Sequence, residues 1–293
     1  MTATLKPGLR YRMPAVFGPA PGPRQKADGT PWKPEETGTM HCRWFTVTYA
    51  TERAQIEALL PPGFELRGEP TVSVSISEFK NLYWLAGRGY GIVIVDVPAI
   101  YRGKTQTIEG AFCPVMWEGE PDAIMTGREE LGFPKLFADI PPLSLSDDGK
   151  SAAGSASWFR HEFIDIEVHD LVPVEGDKAL PGSGGPTMYF KYMPRTSIGG
   201  KEGADVRCVT SSFPPPGAPG DTAPIKLGEF QFKKWRGAGT VRWHRATFEQ
   251  LPTTFHIINA LADIKNLNHV RSEMVEFSGP GIGVSAGVMR TVD

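Results

Sequence analysis

The chain has only three cysteines among its 293 residues, and they follow no regular spacing. Cys42, Cys113 and Cys208 lie far apart and form no CxxC pair. An odd number of scattered thiols argues against a disulfide framework and favours a reducing compartment. The sequence therefore predicts a cytoplasmic protein without structural disulfides.

Long apolar runs and an excess of one charge are also missing. Residues 1–12 mix charged and isolated apolar residues, so they lack the apolar core of a signal peptide. No stretch approaches the ~20 consecutive apolar residues that a membrane helix needs. The formal net charge of −2 gives no reason to expect nucleic acid or an acidic membrane surface as a partner. We therefore expect neither nucleic acid nor membrane among its partners.

The motifs of several common enzyme classes are absent. His161 and His169 are eight residues apart in a region with strand-like alternation, and His256 lies in a predicted helix, so none has metal-ligand spacing. The glycine-rich stretches at 182–185 and 279–283 lack the strand and helix that flank a phosphate loop. No Gly-x-Ser-x-Gly nucleophile elbow occurs.

Glycine and proline are abundant, with 33 and 27 residues, and they leave little room for long helices. Alternating apolar residues predict many short strands joined by tight turns. The strands are expected at residues 44–49, 71–79, 90–100, 110–117, 163–171, 189–193, 206–210, 227–235, 239–243 and 275–277. Helices are expected from Thr51 to Leu60 and from Pro252 onward. These features predict one α+β, mostly β domain over residues 1–293, an antiparallel β-barrel or coiled sheet with a packed C-terminal helix.

The proline-rich beginning of the chain, residues 1–40, is predicted to be an extended arm. Trp32, Phe17 and Met13 are candidate anchors for docking it on the body or on a neighbouring subunit. A free tail is the alternative that composition leaves open.

The most informative segment is Gly127-Arg128-Glu129-Glu130-Leu131-Gly132-Phe133-Pro134-Lys135, which puts a lysine in a turn with apolar neighbours. An ammonium buried without a partner is costly, so such a lysine tends to lose its proton. A neutral lysine amine attacks a ketone or aldehyde and gives a Schiff base. Pro134 stiffens the backbone next to it. The alternative is an ordinary protonated lysine on the surface.

This segment resembles the active-site lysine motif of the acetoacetate decarboxylase family. The resemblance extends from about residue 13 to about residue 277, and its second strongest stretch is 251–262. It implies a barrel-like fold, a homo-oligomer, no metal and no organic cofactor. It also implies imine chemistry at Lys135 on a small-molecule carbonyl substrate, a mechanism for which this family is the standard example of a desolvated lysine.

Four positions depart from the pattern of the decarboxylases. Leu136 stands where they carry a second lysine whose charge helps to depress the pKa of the first. Ile92 and Ser75 stand where they carry pocket acids, and Cys42 where they carry a substrate-binding arginine, with Arg43 one place away. A lowered pKa at Lys135 would then come mainly from desolvation. The charged pocket for decarboxylation is therefore expected to be reduced.

Further site residues follow from these segments. The candidates for substrate binding are Arg43, Ser75, Ile92, Met116, Trp117 and Leu136, although Met116 and Trp117 fit the core equally well. Arg128 and Glu129 are expected to form pairs that support the lysine turn. Asp96, an acid inside an apolar strand, is the candidate acid or base, and a structural carboxylate is the alternative.

The sequence thus predicts a Schiff-base-forming enzyme that acts through Lys135 on a small or medium keto acid, ketone or aldehyde. Aldol addition and dehydration, or a related carbon–carbon lyase reaction, is the expected chemistry. Two alternatives remain: a true acetoacetate decarboxylase, and a non-catalytic barrel that binds a small molecule.

Overall fold

Alternating strands dominate the structure, a computed structural model that describes residues 5–177, 181, 185–196, 203–212, 230–281 and 289–292. The strands are β1 (Thr39–Ala50), β2 (Phe64–Leu66), β3 (Thr71–Lys80), β4 (Tyr90–Arg102), β5 (Thr107–Glu118), β6 (Lys135–Phe137), β7 (Ser144–Leu145), β8 (Ala152–Trp158), β9 (His161–Pro173), β10 (Thr187–Pro194), β11 (Ala204–Ser212), β12 (Gln231–Trp243), β13 (Asn268–Pro280) and β14 (Met289–Val292).

These strands form one large mixed sheet. Its order is β14-β11-β10-β5-β4-β3-β1-β13-β12-β9-β8-β7, with β2 beside β4 and β6 beside β5. The pairs β5–β6 and β5–β10 are parallel, and the other pairs are antiparallel. Because β1 pairs with β13, distant parts of the chain share the sheet. The predicted mostly β fold class is confirmed.

Within the described ranges, three α-helices accompany the sheet: α1 (Arg53–Glu57), α2 (Pro121–Thr126) and α3 (Phe255–Ala262). The first ends earlier than the predicted 51–60, because the chain turns at Pro61 and Pro62 into β2. The last buries Ile258 and Leu261 against the sheet, as its apolar spacing predicts. Among the described residues, none of these helices has the length and apolarity that crossing a membrane requires.

The central strands β1, β3, β4 and β5 bury both of their faces. One face, here called the core face, carries large apolar side chains: Phe45, Val47, Tyr49, Val72, Val74, Ile76, Val93, Val95, Val97 and Trp117. The opposite face, here called the polar face, carries hydroxyl and carboxyl groups: Thr46, Thr48, Ser73, Ser75, Ser77, Asp96 and Glu118. Side chains alternate along a strand, so this division follows from the period of two in the sequence.

The two strands predicted at 227–235 and 239–243 are a single strand in the described residues from Gln231 onward. The strand runs close beside β9 at Gly239, where the Cβ of any other residue would lie only 2.7 Å from the carbonyl oxygen of Glu167. The short strand predicted at 275–277 is the middle of the longer β13. Residues 213–229, which include the start of the first of these predicted strands, lie outside the described residues.

The N-terminal arm docks on the body of its own chain. The Trp32 ring packs edge-on against Tyr83, with 5.1 Å between ring centroids. The Tyr83 hydroxyl donates a hydrogen bond to the carbonyl oxygen of Pro23. By contrast, Met13 and Phe17 are exposed over 81% and 87% of their surface, so they do not anchor the arm within the chain.

Candidate active site

Lys135 begins β6, which pairs in parallel with the end of β5 so that Lys135 lies opposite Met116. A π-helical turn, Gly127–Leu131, precedes it and ends at Gly132, whose φ of 82° is left-handed. The lysine side chain passes over Gly127, where a Cβ would lie 2.5 Å from its Cε atom. Any larger residue at position 127 would therefore occupy the path of this side chain.

The Lys135 amine is almost completely buried, with 6% of the residue exposed. Its Nζ atom lies 2.7 Å from Oε1 of Glu118 and donates a hydrogen bond to the carbonyl oxygen of Ala123 at 3.0 Å. The ring centroid of Phe133 is 5.1 Å away. The amine is thus enclosed between one carboxyl group, one carbonyl and one aromatic face.

Burial acts on both members of this pair in the direction of neutrality. Desolvation lowers the pKa of Lys135, while the charge and hydrogen bond of Glu118 oppose the shift. Desolvation likewise raises the pKa of Glu118 against the opposing charge of Lys135. A proton transfer from the ammonium to the carboxylate removes both buried charges. A neutral amine beside a protonated acid is therefore more favourable in this buried site than it would be for the same two groups in water.

Glu118 was not among the residues predicted from the sequence. Only 1% of it is exposed, and its Oε2 atom has no hydrogen-bond partner within the described part of the chain. The sequence does contain a signal, because a glutamate ends the apolar run of β5 two residues after Met116. The parallel pairing of β6, which brings the lysine to it, has no comparable signal in the sequence.

Asp96 is a second buried acid on the polar face, with 8% of its surface exposed. Two residues of β5, Cys113 and Pro114, lie opposite it, because the β4–β5 register shifts between Val95 and Val97. Its Oδ1 atom finds no partner among the residues described. Desolvation raises its pKa to about 7.

A thiol and a phenol respond to the charge of Asp96. Burial raises the pKa of Cys113 and of Tyr189, and the charge of Asp96 raises both further. The charge of Lys135 also acts on Cys113. Cys113 therefore lies within electrostatic reach of both the acid and the amine, and it remains a neutral thiol at physiological pH.

Three arginines of the arm converge on one carboxylate in the lysine turn. Arg24 binds Glu130 through Nε and Nη2 at 3.0 and 2.6 Å, and Nε of Arg12 lies 3.3 Å from the same group. Arg10 is 3.6 Å from it. The positive charge of Arg24 is a further cause that lowers the pKa of Lys135. Desolvation and the charge of Arg24 thus both lower the pKa of Lys135, although Leu136 supplies no positive charge.

The expected support of the turn by Arg128 and Glu129 takes another form. The Arg128 guanidinium donates to the carbonyl oxygen of Lys135 at 2.8 Å. Glu129 contributes its backbone carbonyl, which accepts a hydrogen bond from Lys191. The carboxylate that carries the ion pairs is the next residue, Glu130, because a π-helical turn directs it toward the arm.

The structure brings some predicted substrate-binding residues to the side of the sheet that carries the lysine. Met116 is the cross-strand partner of Lys135, and Ile92 is the partner of Glu118. Ser75 lies on the same face, where its hydroxyl is 2.6 Å from that of Thr46. The sequence-based expectation that these residues contact substrate is compatible with their positions.

Three other predicted substrate contacts point elsewhere, because neighbouring residues of a strand face opposite sides. Trp117 packs in the core against Phe163, with 5.2 Å between centroids, and Leu136 packs against the same core. Arg43 pairs with Glu276 at 2.6 Å and lines a different, surface cavity of about 300 Å³. The structure therefore does not bring these three to the amine.

One cluster elsewhere has the composition of a metal site. Ligand atoms of Glu162, Asp165 and His244 lie within 4.8 Å of one another. Arg242 and His244 already hold the two oxygens of Asp165, at 2.8 and 2.7 Å. A metal ion would have to displace an arginine there, so the cluster is better satisfied as an ion-pair network.

Comparisons with solved structures agree with this architecture. The acetoacetate decarboxylase of Legionella pneumophila subsp. pneumophila str. Philadelphia 1 superposes with a TM-score of 0.60 at 19% identity, covering 88% of each chain. An acetoacetate decarboxylase-like enzyme from Sphingomonas wittichii RW1 gives 0.59 at 13% identity, covering 82% of this chain and 88% of that one. The enduracididine biosynthesis enzyme MppR, complexed with the condensation product of pyruvate and imidazole 4-carboxaldehyde, gives 0.58 at 14%, covering 82% and 85%.

Sequence comparison gives the family directly. No curated protein matches the chain. The family model described as acetoacetate decarboxylase (ADC), however, matches residues 18–251, which is most of the sequence. This chain belongs to the acetoacetate decarboxylase family.

Proposed function

We propose that the protein is a lyase-type enzyme that binds a small carbonyl compound as a Schiff base on Lys135. The observation that carries the proposal is the buried pair of Lys135 and Glu118, with 2.7 Å between Nζ and Oε1 and opposite pKa shifts. A free, neutral amine is the form that attacks a carbonyl carbon, and this pair can supply it at neutral pH.

Glu118 can accept a proton from the Lys135 ammonium. When Nζ attacks the carbonyl carbon, the oxygen takes one proton from the nitrogen and a second from an acid close to it, and then departs as water. A protonated Glu118 carboxyl at hydrogen-bond distance from Nζ meets that requirement. The resulting iminium withdraws electrons from the adjacent carbon, so a carbanion there is stabilised as an enamine.

The groups around the amine favour carbon–carbon bond formation by the enamine over decarboxylation. Decarboxylation requires a substrate carboxylate to be held near the imine. The carboxyl groups on the polar face are Glu118, at the Lys135 amine, and Asp96, farther along the sheet. Leu136, Ile92 and Ser75 stand where the resemblance places charged residues of the decarboxylases, so fewer side chains here can hold and steer a leaving carboxylate. Aldol addition and dehydration with an aldehyde therefore suit this site better than release of carbon dioxide from acetoacetate.

The likeness to MppR shows that a protein of this fold can hold the product of such a condensation. That enzyme holds the condensation product of pyruvate and imidazole 4-carboxaldehyde. At 14% identity the likeness extends to the architecture, and the reaction of this chain rests on its own residues.

Borohydride trapping tests the proposal. Incubation with pyruvate followed by borohydride should fix the ketone on Lys135, as located by peptide mass. Lys135→Ala should abolish the adduct. Glu118→Gln should keep the amine buried but slow trapping roughly 100-fold, the lower range of the contribution of a positioned proton donor.

A lysine of the arm provides the matched control. Lys26→Gln, on the arm, should leave trapping unchanged, because Lys26 is paired with Glu36 in solvent. An adduct that forms on other lysines, or that survives Lys135→Ala, contradicts the proposal. It would favour the alternative of a binding barrel with an ordinary lysine.

A further inference from the structure

The two buried acids of the polar face lie on opposite sides of the lysine row. Lys135 pairs with Met116, and Met116 pairs with Ile94 on β4. Glu118 and its partner Ile92 lie two residues from this row in one direction, and Asp96 lies two residues from it in the other. The Lys135 amine reaches toward Glu118. Asp96 is therefore separated from the amine by the intervening row of apolar side chains.

The spacing of the strands limits what Asp96 can reach. Two strand spacings of ~4.8 Å and two residues at ~3.3 Å put the Cα atoms of Lys135 and Asp96 roughly 12 Å apart. That is too far for Asp96 to exchange a proton with the imine nitrogen. When an enamine on Lys135 adds to an aldehyde, the aldehyde oxygen is four bonds from Nζ, roughly 5 Å away. An acceptor that extends from the imine past the Met116–Ile94 row, away from Glu118, brings this oxygen toward Asp96.

Three structural observations indicate that Asp96 serves a ligand. Its Oδ1 atom is buried yet has no partner among the described residues. A bulge interrupts the β4–β5 ladder opposite it, and such bulges re-aim side chains next to active sites. Hydroxyl groups line the polar face of the adjoining strands β1 and β3, where Thr48 and Ser73 are hydrogen-bonded to each other at 2.9 Å. A buried polar group without a partner is costly, so its retention calls for an explanation.

We propose that Asp96 is the acid that binds and protonates the carbonyl oxygen of a second substrate, an acceptor aldehyde. This inference rests on the proposed function. In the step, the enamine carbon forms a bond to the aldehyde carbon, and the electrons of the C=O bond move to oxygen. The oxygen takes the proton of Asp96 and becomes a hydroxyl group, leaving an Asp96 carboxylate and an iminium on Lys135. The site is thus built to join two carbonyl compounds.

The step requires the protonated form of Asp96. The titratable groups that face it are Cys113 on β5 and Tyr189 on β10, and both stay neutral because burial raises their pKa. Beyond them lie Lys135 and Glu118. The pKa of Asp96 is about 7, so its acid form is lost as the pH rises above that value.

The experiment separates the donor half-reaction from the condensation. With pyruvate alone in D₂O, the wild-type protein should form the borohydride adduct on Lys135 and exchange the methyl protons, as followed by NMR. With pyruvate and imidazole 4-carboxaldehyde, it should form an enone with growing absorbance. Asp96→Asn, which cannot release a proton, and Asp96→Ala should keep the adduct and the exchange. Both should lower condensation by roughly 100-fold.

An exposed acid serves as control, and the outcomes distinguish the two proposals. Asp139→Asn should leave all three readouts unchanged. The ratio of condensation to methyl exchange in the wild-type protein should fall above pH 7. Condensation that survives both Asp96 variants, or methyl exchange that falls with it, overturns the role of Asp96 alone. The absence of a wild-type adduct overturns the proposed function, and the absence of wild-type condensation despite an adduct overturns the acceptor site.

Discussion

Asp96 shows how a single buried acid can work against the stability of the fold. Its carboxyl has a pKa near ~3.9 in an unfolded chain and about 7 in the folded protein, because burial disfavours the ion. The folded state thus holds a proton that the unfolded state has lost between these two values. The free energy of unfolding should fall as the pH rises from ~4 to about 7, and the loss should remain above 7.

Asp96→Asn should therefore stabilise the protein, and the gain should grow with pH. The difference in unfolding free energy between variant and wild type should widen between pH 4 and pH 7 and then stay constant. Its ceiling is roughly 4 kcal/mol, from three pKa units at ~1.4 kcal/mol each. Urea unfolding at pH 5, 6 and 8 measures it. Parallel profiles for the two proteins would mean that the fold does not raise this pKa.

A second aspartate offers a comparison of opposite sign. Burial opposes the ionisation of Asp165, but hydrogen bonds from Arg242 and His244 outweigh it and lower its pKa. Asp165→Asn should destabilise the protein above pH 4, and the difference should shrink as the pH falls through the lowered folded pKa. A variant that gains stability and loses condensation, as expected only of Asp96, identifies a residue that is retained for function.

At the scale of elements, the arm and the lysine turn act together. Arg24 is 11% exposed and holds Glu130 in the π-helical turn that leads into Lys135. Its positive charge lowers the pKa of Lys135, after desolvation as the larger cause. The arm thus supplies to the amine a positive neighbour that position 136 lacks.

Arg24→Gln should raise the pKa of Lys135 and move imine formation to higher pH, since the amine reacts only above its pKa. The rate of borohydride trapping of pyruvate, measured from pH 6 to pH 9, gives the midpoint. Arg24→Lys keeps the charge but not the bidentate hydrogen bond, so its midpoint should lie between those of Arg24→Gln and the wild type. Lys26→Gln on the same arm should leave the midpoint in place. An unchanged midpoint in Arg24→Gln would show that desolvation alone sets the pKa.

The strands and the lysine could be predicted from the sequence because their signals are local. Alternation over 71–79 places Val72, Val74 and Ile76 on one face, and the structure agrees. The glycine and proline around Lys135 likewise indicate a turn within a few residues. Predictions of this kind need no knowledge of which strand lies next to which.

The partners of the lysine could not be predicted because they depend on register. Glu118 reaches Lys135 only through the parallel β5–β6 pairing, and Arg24 and Glu130 are 106 positions apart. A shift of one residue moves a side chain to the other face of a sheet. For this reason Trp117 and Leu136, next to Met116 and Lys135, belong to the core, a placement that the sequence left open for Trp117 and did not indicate for Leu136.

At the scale of the whole molecule, the arm leaves an apolar surface uncovered. Met13, Val16 and Phe17 are exposed over 81%, 67% and 87% of their surface, within a few residues of one another. The rest of the arm is fixed to the body by the arginines on Glu130 and by Trp32. Exposed apolar side chains on a fixed segment indicate a contact surface. We propose that a second copy of the chain covers them in a homo-oligomer.

Point variants test this assembly better than removal of the arm, because a truncation would also remove Arg24 from the lysine turn. Light scattering of the full-length protein should give a mass that is a multiple of 32.0 kDa. Phe17→Asp and Val16→Asp should lower that mass, since burying a carboxylate in an apolar contact is costly. They should leave the Lys135 adduct intact, because neither residue touches the lysine turn in the described contacts.

Leu267→Asp, at another exposed apolar position, should leave the mass unchanged. A monomeric wild-type protein, or an oligomer that tolerates both arm variants, would contradict an interface at the arm and leave Met13, Val16 and Phe17 as a surface for some other partner.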